Sequence, residues 1–417
     1  MECRAKNITK LQDILSDKQL EHIVQKVKTG AKIVGYDLQP LTTSDMAGLL
    51  GNYFRLTIQV QEDSVKNIHL FIKTLPFNQT KVDTIRQNNF NTREALFYKL
   101  IEEMDDSEDP NPWLPKAYIY NENTLVMSDL SKEGYKSHPS TKYFDKNHIM
   151  VTAKSVARFH AVFANYVTKK SEYRSKAYNF LDDYGHLMNE PTFLDPRWSQ
   201  AAAKLTCNYL KEYSANYNKY PAYLEEQLSG LYCKAYNDLK DYQDTLNVII
   251  HRDLWFNNIL FRYSGDVAVN AILLDYQSMR VAPPAFDIML VLHLTTSKRF
   301  RECHESEVLH YYYSLFMESL DDNTKQRLAS MHYDIDTFLF WCEKARLFAM
   351  FYTAGAFPII LMDSVHAQKT LDDPAMLIDL MYKDRSEPVL EHAKENTNYR
   401  DKLLDIFEEI VEYALQN

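Results

Sequence analysis

The chain has 417 residues, 46% of them hydrophobic and 25% charged, which suits a folded globular protein of two lobes or domains and excludes a fibrous or low-complexity chain. Asp plus Glu outnumber Lys plus Arg by 57 to 47, a formal net charge of −10, and no dense basic run reverses this locally. A nucleic-acid duplex is therefore excluded as the expected partner.

From the start of the chain, residues 1–20 carry charges throughout and contain no apolar segment, so no secretory signal is expected. Residues 52–61 and 68–75 are rich in β-branched and aromatic residues, with turn-forming Glu62, Asp63 and Ser64 between them, and read as a hairpin. Residues 85–104 have helical periodicity. An acidic, proline-containing loop follows at 105–112, then two short strands within 117–129 around Asn121-Glu122-Asn123. Beyond Lys146 the long periodic segments are helical, at about 147–169, 197–215, 221–243, 305–319, 336–356 and 400–415. The exception is 259–275, which is strand-like on either side of Ser264-Gly265-Asp266. A sheet-bearing part joined to a helical part predicts an α+β fold with lobes at 1–130 and 131–417. The most apolar stretch, 348–362, contains Thr353, Gly355 and Pro358, falls short of a membrane span, and reads as a buried helix broken at Pro358. Five scattered cysteines (Cys3, Cys207, Cys233, Cys303, Cys342) lack Cys-x-x-Cys or metal-ligand spacing, as expected of free thiols in the cytoplasm.

The chemistry concentrates in His251-Arg-Asp-Leu-Trp-Phe-Asn-Asn258. Asp253 followed five residues later by Asn258 has the spacing of a phosphotransferase loop, where a carboxylate meets the acceptor hydroxyl and an amide oxygen meets a metal. Asn257 is adjacent, but spacing favours Asn258. Asp275 ends the apolar run 270–275, and the turn near 265 returns it toward the end from which Asn258 departs. Asn258 and Asp275 are thus candidate Mg²⁺ ligands, since Mg²⁺ prefers oxygen donors. Lys73 lies in the apolar strand Leu70-Phe-Ile-Lys-Thr-Leu75 and needs an anion. Glu94 shares a stripe with Phe90, Phe97 and Ile101 and needs a cation; together they reproduce a lysine–glutamate pair that holds donor phosphates. Gly48, Gly51 and Asn52, in Met46-Ala-Gly-Leu-Leu-Gly-Asn-Tyr53, are candidates for a loop covering phosphates, with a plain turn as the competing reading. Met127 and Asp129 fall where an interlobe hinge would meet adenine, or alternatively on an ordinary edge strand. His160 reads as a core histidine. Asp287 reads as a helix cap or an anchor accepting backbone N–H bonds from the catalytic loop.

With these residues in place, the sequence resembles the ecdysteroid kinase-like (CHK kinase-like) family, a branch of the choline and aminoglycoside kinase group. The resemblance runs from Gly51-Asn-Tyr53 through Arg93-Glu-Ala95, residues 127–130 and Phe159-His-Ala161 to residues 251–260, Asp275-Tyr-Gln277 and residues 284–287. It implies a two-lobed protein-kinase-like fold, with a small antiparallel-sheet lobe and a larger, mostly helical one. It also implies ATP- and Mg²⁺-dependent phosphorylation of a small-molecule alcohol, steroid-like in the reaction the family is named for. On that pattern Asp253 is the base, Asn258 and Asp275 the metal ligands, Lys73 the phosphate contact and Glu94 its partner. Arg252 stands where the family usually has Gly, and Tyr276 where it usually has Phe. A choline- or ethanolamine-type kinase and a ligand-binding pseudokinase are the competing functions. Tyr166, Tyr173, Tyr178, Phe180, Tyr184, Trp198, Tyr209 and Tyr213 are candidates either for an apolar acceptor pocket or for the core.

Overall fold

The computed structural model describes residues 10–41, 50–61, 64–104, 111–139 and 142–416. Strands β1 (Lys32–Pro40), β2 (Asn52–Gln61), β3 (Val65–Thr74), β4 (Ala117–Tyr120) and β5 (Thr124–Ser128) form an antiparallel sheet in the order β1-β2-β3-β5-β4. The two-residue period of the pleat sorts the side chains. Phe54, Leu56, Ile58 and Val60 of β2 join Ile68, Leu70 and Ile72 of β3 in a buried face that also takes Leu20, Ile23 and Val24 of helix α1 (Asp17–Val27). The opposite face carries Tyr53, Lys73 and Leu125, which stand opposite one another across three strands, and Phe71 opposite Met127.

The periodic stretch 85–104 is two helices, not one: α2 (Gln79–Gln87) and α3 (Phe90–Met104). The break falls at Asn88-Asn89, where Asn89 takes a left-handed backbone (φ 55°) that asparagine tolerates. The Asn88 amide donates to Thr84 O and Thr192 Oγ1, both at 2.9 Å, which holds the corner against the segment 191–194.

The remainder is mostly helical: α4 (Lys146–Arg174), α5 (Phe180–Tyr184), α6 (Pro191–Leu194), α7 (Pro196–Tyr213), α8 (Leu224–Asp238), α9 (Ala285–Thr295), α10 (Lys298–Glu318), α11 (Asp322–Ser330) and α12 (Ile335–Ile360). These are followed by α13 (Ser364–Asp372), α14 (Pro374–Tyr382), α15 (Ser386–Glu395) and α16 (Thr397–Gln416). Helix α9, buried on every side, packs along α12, and α10 packs along α4. Helix α12 runs two residues past Pro358 before ending, so the proline sits in its last turn instead of breaking it. Short strands serve the site. β6 (Tyr135–Ser137), β8 (Ile259–Ser264) and β9 (Val267–Leu273) make one sheet, while β7 (Val248–Ile250) pairs with β10 (Arg280–Ala282). The result is an α+β arrangement, with the antiparallel five-stranded sheet on the N-terminal side and a mostly helical remainder. Among the described residues no single helix is long and apolar enough to cross a membrane.

Candidate active site

The site lies between the inner face of the five-stranded sheet and the loops around the β8–β9 hairpin. Lys73 donates to Glu94 Oε2 at 2.8 Å, to Asp275 Oδ1 at 2.7 Å and to Gln277 Oε1 at 3.3 Å. Burial alone would lower the ammonium, but the charges of Asp275 and Glu94 hold it well above its ordinary value. One cation thus faces two acids, and the surplus falls on the deeper one. Burial and the charge of Asp275 outweigh Lys73 at Glu94 and raise its carboxyl.

The segment 251–258 is fixed from behind. Asp287, at the start of α9, accepts the backbone N–H groups of His251 (2.5 Å) and Arg252 (2.7 Å), and His160 lies 3.1 Å from it while also bonding Tyr312 at 2.6 Å. His160 is fully buried, a core histidine that supports the loop through Asp287. His251 reaches across to Leu274 O (2.8 Å), tying the loop to the segment that presents Asp275. Arg252 (φ 68°) and Asp275 (φ 67°) both take left-handed backbone conformations, a cost that persists only where surroundings impose it.

The hairpin register brings the proposed metal-binding pair together. Ile259 stands opposite Leu273, and Leu274 N–H donates to Asn258 O at 2.9 Å, so Asn258 and Asp275 emerge at the same end. The Asn258 amide nitrogen donates to Asp253 O (2.7 Å) and Oδ2 (3.2 Å), which turns its oxygen the other way. Tyr352 of α12 donates to the second Asp253 oxygen at 3.2 Å. Burial, followed by the negative charge of Asp275, pushes the Asp253 carboxyl up to about 8.

Two cavities meet here, and Asn258 and Asp275 line both. The larger, about 500 Å³, includes Lys73, Glu94, Met127 and Asp129. The smaller, about 170 Å³, is mostly apolar; Asp253 opens into it beside Phe193, Trp198, Tyr236, Trp255 and Tyr352. Its far wall is Leu371 of α13 with Leu377, Leu380 and Met381 of α14, and α2 contributes Lys81 and Thr84. Lys81 is buried and pairs with Asp372 at 2.7 Å.

Some expected residues are not brought in. Gly48 lies outside the described residues. Gly51 and Asn52 do not line either cavity: the Asn52 amide donates to Leu75 O (3.0 Å), and a Cβ on Gly51 would stand 3.1 Å from the Tyr53 ring. Gly51 therefore lets β2 begin against Tyr53 and Thr74. Asp129 does line the larger cavity, but its Oδ1 accepts from Ser131 N–H (3.1 Å) and Oγ–H (2.6 Å) and its other oxygen lies 3.5 Å from Arg55, so it also shapes the turn after β5. Of the eight aromatics proposed for an acceptor pocket, only Trp198 lines the smaller cavity. Tyr178 and Phe180 line a separate one, and Tyr173 is exposed.

Other residues at the site had no role in the sequence reading. Glu190 receives Arg93 and Arg252, with Arg252 Nη2 at 2.8 Å and Arg280 at 3.3 Å. Tyr352 touches Asp253 from 99 residues away, and Gln277 joins Lys73. Gln277 stands in the Asp-Tyr-Gln triplet and had a signal; Glu190 and Tyr352 had none.

A sequence model of the ecdysteroid kinase-like family matches residues 47–324. No functionally curated protein matches the chain significantly. Among solved structures, an ethanolamine kinase of Plasmodium vivax is similar at 12% identity and TM-score 0.42, covering 94% of this chain and 86% of that one. A microcompartment-associated aminopropanol kinase is similar at 11% identity and TM-score 0.35, covering 94% and 98%. A choline/ethanolamine kinase family protein of Mesorhizobium loti follows at 12% identity and TM-score 0.34, covering 93% and 98%.

Proposed function

The chain belongs to the ecdysteroid kinase-like family, and on that premise we propose that it is an ATP-dependent small-molecule kinase acting on a hydroxyl of an apolar, steroid-like alcohol. The reading takes 1–130 as the nucleotide lobe and 131–417 as the lobe that holds the acceptor. One observation carries it: Asn258 and Asp275 line both cavities, Lys73 opens only into the larger, and Asp253 only into the smaller. A donor on one side and an acceptor on the other thus meet at the same residues.

In the mechanism this supports, Lys73, held by Glu94, contacts the donor phosphates through charge. Asp253 accepts the proton of the acceptor hydroxyl as its oxygen bonds to the γ-phosphorus and the bond to the β-phosphate oxygen breaks. Tyr352 and Asn258 hold the Asp253 carboxylate in place for that transfer. The oxygen-only donor set of Asn258 and Asp275 fits Mg²⁺, which when bound neutralises phosphate charge. Apolar walls of the smaller cavity exclude water from the acceptor side and fit a hydrocarbon skeleton better than a charged one. Its volume lies below the roughly 300–1,000 Å³ usual for sites of drug-sized ligands, so a steroid-sized acceptor requires the cavity to widen.

That small volume, with the rings of Trp198, Trp255, Tyr236 and Tyr352, favours a second reading, a choline- or ethanolamine-type kinase whose acceptor cation rests on aromatic faces. Mg²⁺-dependent ATP consumption measured with ecdysteroids, plant-derived alcohols, choline and ethanolamine separates them. Turnover with a steroid or apolar alcohol supports the first reading, and turnover with choline or ethanolamine alone replaces it with the second. Tight acceptor binding without turnover for any compound makes the chain a pseudokinase and overturns both.

A further inference from the structure

Helix α13 leaves α12 at a 93° corner, and a cluster unconnected to phosphoryl transfer sits there. Asp363 caps α13: its Oδ1 accepts the N–H groups of Val365 (3.0 Å) and His366 (3.1 Å). Its Oδ2 instead faces two imidazoles, with His366 Nδ1 at 2.5 Å and His392 Nδ1, from α15, at 3.2 Å. Glu395, one turn beyond His392, brings Oε2 to 4.0 Å from His366 Nε2.

We propose that Asp363, His366 and His392 form a binding site for a divalent transition-metal ion of the zinc class, with the fourth position left to water. An ordinary helix cap accounts for Asp363 and His366, since a cap aspartate often meets a side chain three residues on. It does not account for His392. That side chain is only 3% exposed, and its Nδ1 points at the same carboxylate oxygen without making a hydrogen bond to anything. A buried ring nitrogen without a hydrogen bond is costly, and a metal held between it and that carboxylate oxygen would satisfy it.

The donor set fits. Two imidazoles and one carboxylate are ligands zinc takes at about 2.0–2.2 Å, with water completing the shell, so neighbouring donors in a tetrahedral site stand roughly 3.3 Å apart. The Asp363–His392 separation already has this value. The Asp363–His366 contact is shorter and must open, which the 46% exposed His366 side chain can do by turning toward solvent. Ligation through Nδ1 puts the ring proton of His392 on Nε2 and gives up one weak bond there, the 3.4 Å contact from Asp363 N–H. Asp363 and His366 stand at the start of α13 and His392 near the end of α15. A bound ion therefore clamps the corner to α15. Because Leu371 of α13 lines the apolar cavity and Asp372 holds Lys81 of α2, the clamp fixes that cavity's outer wall.

The test uses the full-length protein, stripped with a chelator and dialysed, then titrated with Zn²⁺ in excess Mg²⁺ so that cleft carboxylates do not compete. Metal content is read by mass spectrometry and site geometry by Co²⁺ visible absorption. The expected result is one Zn²⁺ per chain, a tetrahedral Co²⁺ spectrum, and a loss of affinity exceeding about 100-fold in His366→Ala, more than loss of an outer-shell partner costs. His366 is exposed, so this variant should fold; His392→Gln provides a second measure. No Zn²⁺ in the wild-type protein, or undiminished binding in His366→Ala, overturns the assignment.

Discussion

Arg252, the residue before Asp253, donates from both terminal nitrogens to the buried carboxylate of Glu190, which lies just ahead of α6. The same carboxylate receives Arg93 of α3, the helix that presents Glu94 to Lys73, and Arg280 of β10. Asp253 and the Lys73–Glu94 pair are thus positioned by residues that share one anion. This also accounts for an arginine at a left-handed backbone position. At φ 68° a non-glycine residue costs about 1–2 kcal/mol, and glycine would avoid it. The buried arginine–carboxylate contact, made with two parallel bonds, offsets that cost and holds the loop.

Replacing Glu190 with Gln should destabilise the protein by about 3–5 kcal/mol, the usual consequence of leaving buried charges without their partner. Three guanidiniums would then face one another, and those of Arg93 and Arg280, already held below their ordinary value by burial and by their neighbours, would be worst placed. Urea unfolding followed by tryptophan fluorescence measures the change. A midpoint within error of wild type would rule out this role.

The same residue predicts an acid limb. Burial opposes the charged carboxylate, but Arg252, Arg93 and Arg280 outweigh it and hold Glu190 down at about 2. The folded chain therefore binds fewer protons at this residue than the unfolded chain, whose glutamates titrate near 4.3. Its contribution is complete above the unfolded value and disappears as pH falls from about 4.5 toward 2. At neutral pH it amounts to roughly 3 kcal/mol. Unfolding free energy measured from pH 6 to pH 3 should fall more steeply in wild type than in Glu190→Gln.

Much of this site could be read from sequence because its geometry is local. Asp253 and Asn258 share one loop, a two-strand hairpin returns Asp275 to them, and the pleat and helical period put Lys73 and Glu94 on facing surfaces. What escaped depends on long-range contact. Glu190 meets Arg93 across 97 residues and Arg252 across 62, and a lone glutamate before a proline carries no pattern. Helix α9 is buried all round, so it lacks the polar face that periodicity detects. Strand β1, at the sheet edge, buries no residue completely and so never alternates cleanly. Asn88-Asn89 split a continuous helical period because a left-handed asparagine ends a helix without altering its apolar spacing.

Asp253→Asn should lower kcat by about 10²–10⁴-fold, the range for a positioned base, with circular dichroism unchanged. Tyr352→Phe removes one hydrogen bond from the same carboxylate, worth about 0.5–1.5 kcal/mol, and should lower kcat/KM for the acceptor by roughly 2- to 12-fold. KM for ATP should stay as it is, since Tyr352 lines only the smaller cavity. An Asp253→Asn enzyme with wild-type turnover would remove the base assignment. A Tyr352→Phe effect confined to ATP would place the tyrosine on the donor side instead.

Gly355 offers a test of the acceptor wall. It lies within α12, where alanine would ordinarily stabilise by about 1 kcal/mol. A Cβ there would stand 2.5 Å from Cη2 of Trp198, whose ring is buried and covered by the Arg385 guanidinium at 4.7 Å. The ring cannot give way without disturbing that contact, so overpacking, at about 1–3 kcal/mol, should win. Gly355→Ala should therefore be less stable than wild type, and acceptor KM should rise because both residues line the cavity. Trp198→Phe shortens the ring at the point of collision. In the double-mutant cycle the Ala substitution should cost less on the Phe background than on wild type. Equal costs on both backgrounds would mean that the indole does not limit the space at residue 355.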